Sequence, residues 1–187
     1  MAYERLGDLE IAGAEIIFRN FAGRQTDYNR EGDRNFSVVI PDPNQAISMY
    51  NAGWNVQIRP KDAATRADMK TACRTFEERI AFLQQRGELD DALFHLKVTV
   101  SYKYKEKAPK IWIYRNSIRR RELMEESNVS TLDKAEIENI DLVINPSGWS
   151  KGDRSGYMAF LKEAHITIKE SSFAEKYRDY YDDDDIE

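Results

Sequence analysis

The side chains best suited to chemistry in this chain are flat rings interleaved with cations. Between Lys97 and Arg121 stand nine lysines and arginines and one acid, Glu106, a local charge of +8 in a chain whose net charge is −5. Lys97, Lys103 and Lys105 alternate along the first half of this stretch, and Lys110, Trp112 and Tyr114 share a parity in the second. Lysines on a strand face often do no more than keep a sheet edge in water. That role gives no reason for an indole and a phenol on the same face. Rings beside cations suit single-stranded nucleic acid, because each base stacked on an aromatic side chain contributes roughly 1–3 kcal/mol while the cations hold phosphates.

Two further groups repeat the combination. Arg19, Arg24, Arg30 and Arg34 surround Tyr28 in and around a polar segment with two glycines. Guanidinium groups on such a finger could clamp a phosphate backbone. Asp27, Glu31 and Asp33 nearly cancel their charge, so a salt-bridged hairpin tip is the alternative. Trp149, Lys151 and Arg154 lie in the glycine-rich run Pro146 to Gly156. There the indole either displays itself to a base or covers the end of a barrel.

Other chemistries find less support. His95 and His165 have no spacing signature, and the carboxylates are not clustered as a metal-dependent nuclease needs. Cys73 is the only cysteine and falls within a helical apolar stripe, which points to burial. Asp27-x-Asn29-x-Glu31-Gly32 starts like a calcium loop, but position twelve is Val38, not the bidentate glutamate, so calcium is excluded. The glycine-rich run lacks the Gly-x-x-x-x-Gly-Lys-Ser/Thr of a phosphate-binding loop. The expectation is a protein that is not an enzyme and carries no cofactor and no metal. No apolar run reaches the roughly 18 residues of a membrane span, and the first residues lack the apolar core of a signal peptide. A cytoplasmic location follows as an expectation.

The elements that must position these groups can be read from periodicity. At 187 residues the chain suits one domain, expected over residues 1–170, followed by an acidic flexible tail over 171–187. After a loose lead-in over residues 1–10, a strand is expected from Ile11 to Phe21, with Ala14, Ile16 and Phe18 on one face. Arg34 to Ile40 is the second strand. Asp42 caps a short helix with Pro43 at its first position. Trp54 to Arg59 is the third strand. Met69, Cys73, Phe76, Ile80 and Leu83 mark one long helix from Ala63 to Gly87.

Leu93 to Lys105 then alternates strictly, with Leu96, Val98, Val100, Tyr102 and Tyr104 on one side. Lys110 to Arg115 is expected to pair with it as a hairpin. Glu122 to Ser127 reads as helical, and Ser130 or Thr131 could cap a short helix through Ile137. Strands at Ile140–Asn145 and Tyr157–Lys169 form a last hairpin, the latter with Met158, Phe160, Ala164, Ile166 and Ile168 on one parity. The predicted fold is mainly β with helices: an OB-fold-like five-stranded barrel with an inserted helix and an additional C-terminal β-hairpin. Its five strands would be those at 11–21, 34–40, 54–59, 93–105 and 110–115.

Three segments carry a resemblance. Ile16-Ile17-Phe18-Arg19-Asn20-Phe21 precedes Tyr28-Asn29-Arg30-Glu31-Gly32-Asp33-Arg34-Asn35-Phe36. Gly53-Trp54-Asn55-Val56 follows. Asn139-Ile140-Asp141-Leu142-Val143-Ile144-Asn145-Pro146 precedes Trp149, Gly156 and Tyr157-Met158-Ala159-Phe160-Leu161-Lys162. In this order, from Ile11 to Lys169, the chain resembles a family of bacteriophage single-stranded DNA-binding proteins with an OB-fold. The resemblance implies sequence-tolerant binding of single strands in phage replication or recombination, in the cytoplasm of an infected bacterium. By position it implies Arg19, Arg30 and Arg34 as DNA contacts.

The tail adds a second expectation. Asp179 to Glu187 holds six acids and no base, which leaves +1 for residues 1–178 (−5 minus −6). Asp182, Asp183, Asp184, Asp185 and Ile186 are similar to the acidic tips with which bacterial single-strand binders recruit replication proteins, although the terminal Pro-Phe of those tips is absent. A polyanion of this kind can also occupy a basic groove until DNA displaces it. The expected partners are single-stranded DNA and replication or recombination proteins reached through the tail, with self-association left open. The alternatives are a phage protein that binds a host protein through its tail without touching nucleic acid, and a metal-dependent nuclease.

Overall fold

A computed structural model describes residues 6–170, apart from the side chains at 118 and 119. The first strand of the barrel is one bent ribbon made of β1 (Leu9–Ile11) and β2 (Ile16–Asn20). Gly13 makes the bend with φ +60, and the ribbon pairs on both sides there: the Ala14 N–H donates to the Ile140 carbonyl, and Glu15 accepts from the Val39 N–H. Part of the expected lead-in is therefore strand. Within β2, Ile17 pairs with Ser37 and Asn20 with Asn35, so Phe18 and Arg19 together oppose Phe36. This bulge turns Phe18 away from the core face occupied by Ile16, contrary to simple alternation. Phe18 adopts φ +51, a left-handed conformation that costs a bulky residue about 1–3 kcal/mol.

β3 (Arg34–Ile40) pairs antiparallel with β2 and with β5 (Leu93–Val100). Phe36, Val38 and Ile40 face Val98, Leu96 and Phe94 across the ladder, and all six are buried. Between β3 and β5 the chain inserts α1 (Pro43–Asn51), β4 (Val56–Arg59), α2 (Ala63–Ala72) and α3 (Phe76–Arg86). β4 is an additional edge on β5 rather than a barrel strand. Trp54 lies outside β4 and bridges to Tyr157.

The single helix expected over 63–87 is two. Cys73 is extended, and Thr75 and Glu78 form a capping box that starts α3. The apolar stripe crosses the break because both helices pack on the same core, where Met69, Cys73, Phe76 and Leu83 are buried.

The largest correction concerns the basic stretch. β5 ends at Val100, and β6 (Lys110–Arg115) does not pair with it. Both lie parallel to β9 (Arg154–Ile168), β5 at residues 159–160 and β6 at residues 163–168. The two strands run in tandem along one edge of β9, joined by the bend at residues 101–109. The partner of β6 is β7 (Ile118–Met124), where a helix was expected from Glu122. The second expected helix is a short 3-10 turn, Val129–Asp133, whose Val129 and Leu132 are buried.

β8 (Ile137–Lys151) and β9 form a long hairpin, each strand longer than the sequence suggested. Near the core a register shift between Val143 and Ile144 reverses the parity of β9. Ala159 and Leu161 are buried before it and Ala164 and Ile166 after it, while Met158 is exposed.

β1 pairs with β8, which closes the circuit β1/β2–β3–β5–β9–β8. This is the Greek-key order of an OB-fold barrel. The fold class is as expected, with a different allotment of strands. β5 is the third barrel strand, and the C-terminal hairpin supplies the fourth and fifth before its tip projects beyond the barrel. The helices stand between the second and third strands.

Candidate nucleic-acid interface

The register of the barrel places two loops at opposite ends of one outer face. Arg34 pairs with Val100, so the loop of residues 21–33, between the first and second barrel strands, enters at that end of β5. β9 runs parallel to β5, with Ala159 level with Val98, so the hairpin tip at residues 147–156 lies toward the Leu93 end. In an OB-fold the loops between strands 1–2 and 4–5 and the face of strands 2–3 form the usual oligonucleotide surface.

In the first loop Tyr28 is 92% exposed, and Arg30 is exposed with no ion pair to a described carboxylate. Asn29 ties the loop to the sheet, its Oδ1 accepting from Asn35 Nδ2 at 2.9 Å and from Lys97 Nζ at 3.2 Å. Arg24 is largely exposed but pairs with Asp133 at 3.5 Å. Arg34 is more committed: its guanidinium reaches Glu126 at 3.1 Å and lies 5.6 Å from the centre of the Tyr102 ring. Burial raises the Tyr102 pKa. Arg19, inside the bulge, donates to the carbonyls of Leu132 and Ala135 at 3.1 and 2.6 Å. Its charge holds the 3-10 turn against β2, and Asp133 in turn accepts from the Phe21 and Ala22 N–H groups.

At the other end, Trp149 stands cross-strand from Gly156 and is 39% exposed, with Lys151 and Arg154 exposed at the tip. A Cβ on Gly156 would meet the Gly53 carbonyl at 3.0 Å and the Trp149 indole nitrogen at 3.2 Å. The hairpin is seated on the end of α1 by the Tyr157 N–H, which donates to the Gly53 carbonyl at 2.8 Å.

The basic stretch divides. Lys97 lies on the outer face of β5. Lys103, Lys105 and Lys107 are exposed on the following bend, where the Nζ atoms of Lys103 and Lys107 lie 5.5 and 6.0 Å from the centre of the Tyr104 ring. Tyr104, expected on the inner side, is exposed because the strand has ended. Lys110, Trp112 and Tyr114 point outward from β6. The Arg121 guanidinium covers the Trp112 ring at 4.0 Å. Tyr114 shares a 2.9 Å hydrogen bond with His165 Nδ1, and His165 Nε2 meets Glu163 at 2.8 Å. Both rings are half-buried, and among the described residues their ring and side-chain hydrogen-bond partners are Arg121 and His165, neither in the first loop nor at the hairpin tip.

Between the two loops the outer face carries a group that strand alternation concealed. Phe18 is 51% exposed and stands edge-on to His95, ring centres 5.6 Å apart at 72°. The Arg59 guanidinium lies 5.5 Å from the Phe18 ring centre. His95 is 7% exposed; burial first, then the Arg59 charge, push its pKa down to about 4. It is neutral at pH 7.

Among the described residues no group of three or more His, Cys, Asp or Glu side chains could hold a metal ion. No helix among them is long and apolar enough to cross a membrane. The acidic run at Asp182, Asp183, Asp184, Asp185 and Ile186 lies outside the described residues.

The family model described as "Putative phage ssDNA-binding domain" matches residues 1–70 and 77–186. No curated protein matches the chain. Similar solved structures include the single-stranded DNA-binding protein from bacteriophage Enc34, at 13% identity and a TM-score of 0.45, covering 94% of this chain and 90% of that one. Its C-terminal truncation gives 10% identity and 0.44, covering 88% and 87%. The same protein in complex with ssDNA gives 10% and 0.42, covering 89% of each chain.

Proposed function

Because the chain belongs to the family of phage single-stranded-DNA-binding domains, we propose that it binds single-stranded DNA across the outer face of β3 and β5, from the hairpin tip to the loop of residues 21–33. The observation that supports this path is the barrel register, which sets Trp149, Lys151 and Arg154 at one end of that face and Tyr28 and Arg30 at the other. Lys97 lies between them. Lysines and arginines displace counterions from phosphates, and the rings stack on bases of any identity. Lys103 and Lys105 extend the positive field along the bend, and Arg24 joins the contacts on giving up its long ion pair with Asp133. Lys110, Trp112 and Tyr114 form a separate patch, for strand passing beyond the main face.

The protein acts by binding rather than by catalysis, in the cytoplasm of an infected cell, during DNA replication or recombination. Residues 1–170 form the binding domain. The acidic tail over 171–187 competes for the same basic face and recruits replication or recombination proteins.

A titration of oligo-dT, duplex DNA and RNA over a series of salt concentrations tests this function. Single strands should bind most tightly, with tryptophan fluorescence changing on binding. Arg30→Ala, Lys97→Ala and Lys151→Ala should each reduce the slope of log K against log salt by about 0.7. Absence of both a fluorescence change and a mobility shift at low salt would rule the reading out. Divalent-metal-dependent loss of the DNA would favour a nuclease instead.

A further inference from the structure

The Phe18 bulge places a ring where strand alternation and hydrophobic burial would not. A regular β2 would direct Phe18 inward, beside Ile16 and opposite Phe36. The two-for-one pairing at Phe18 and Arg19 puts it instead on the outer face, half in water. There the ring is fixed from two sides. The edge-on contact with His95 supports it from within the sheet, and β5 carries His95 on the same face as Lys97. Arg59, on β4, lies exposed beside the ring and makes no ion pair with a described carboxylate. β4 pairs Gln57 with His95, so the inserted ribbon brings the guanidinium to this spot.

From this arrangement we propose that Phe18 is a base-stacking platform and that Arg59 binds the adjoining phosphate. The proposal rests on the single-strand reading above and adds a site to it. A half-exposed ring, held edge-on by a neutral imidazole, offers a flat apolar surface at little entropic cost. The unpaired guanidinium next to it supplies the charge that a nucleotide requires. The barrel places this pair between the two loops, beside the face of the second and third barrel strands, with Arg59 level with Leu93 toward the hairpin tip. A phenyl in an ordinary core position would need neither the bulge nor the nearby cation.

The test compares oligo-dT with an abasic oligonucleotide of the same length, using the full chain. Phe18→Gly removes the ring and suits the left-handed backbone, so its melting temperature should equal or exceed that of the wild type. It should bind oligo-dT about 5- to 150-fold more weakly, the equivalent of one lost stack, and abasic DNA as the wild type does. Phe18→Trp keeps a flat ring and should retain the affinity, with its new indole quenched by oligo-dT and not by the abasic strand. Arg59→Ala should weaken both ligands and lower the salt slope by about 0.7.

Equal affinity of wild type and Phe18→Gly for oligo-dT would overturn the platform. So would a loss shared equally by the abasic strand. An unchanged slope in Arg59→Ala would overturn the role of Arg59. A wild type that binds neither oligonucleotide defeats the single-strand reading itself, which separates the two failures.

Discussion

At the scale of single residues, cations of the same type have unlike duties. Arg19 spends its charge on two backbone carbonyls, whereas Arg30 carries no described ion pair. Arg19→Ala should therefore destabilise the fold by about 2 kcal/mol, because two partly buried carbonyls lose a charged donor, while leaving the salt slope of DNA binding unchanged. Thermal melts and a salt titration on Arg19→Ala and Arg30→Ala would separate the two roles. His95 gives a second prediction, with Phe18, Arg59, Val39 and Gln57 as its surroundings. Its folded pKa of about 4 lies below the ordinary value of 6.5, so the unfolded chain takes up the proton first. The sign follows: the stabilisation is complete above pH 6.5 and falls as pH drops toward 4. The loss is on the order of 3 kcal/mol. Melting temperatures from pH 7 to 4 should fall more steeply in the wild type than in His95→Gln.

At the scale of elements, small local devices decide where functional groups end up. The capping box of Thr75 and Glu78 divides the expected helix, and Thr75→Ala should cost about 1 kcal/mol. Urea denaturation would detect this. Gly156 carries the seat of the hairpin tip. Gly156→Val would meet both the Gly53 carbonyl and the Trp149 indole, so the tip should shift. The expected result is a weaker fluorescence response of Trp149 to DNA and a lower affinity, read with Trp54 and Trp112 replaced by phenylalanine. The bulge in β2 is a third device, and it alone decides which way Phe18 faces.

At the scale of the whole molecule, charge is polarised along the chain, with +1 over residues 1–178 and −6 over Asp179–Glu187. Removal of residues 179–187 should tighten binding to single-stranded DNA at low salt, and the advantage should shrink as salt screens the tail. Titrating both forms at two salt concentrations checks this. Partner capture that depends on the tail, in a chain with no DNA affinity in either form, would instead support a host-binding protein.

Much was legible without coordinates. Alternation in β3 and β5, the Asp42-Pro43 start of α1 and the burial of Cys73 all follow from local rules: side-chain period, cap chemistry and apolar spacing. The aromatic and basic clusters were legible too, because residue types alone limit what a surface can bind. The Thr75-Phe76-Glu77-Glu78 cap could have been read and was overridden by a continuous apolar stripe.

What only the tertiary structure decided was pairing. β5 and β6 read as a hairpin because they are close in sequence, but each finds a longer partner in β9, where Val98 meets Ala159 and Lys110 meets Glu163. A ladder between distant strands depends on the sum of burial over the whole barrel, which no local window contains. The same holds for Phe18 and Arg19, whose directions come from a one-residue mismatch between β2 and β3. Residue types thus pointed to a class of ligand, and the closing of the barrel determined which rings and cations share one outer face.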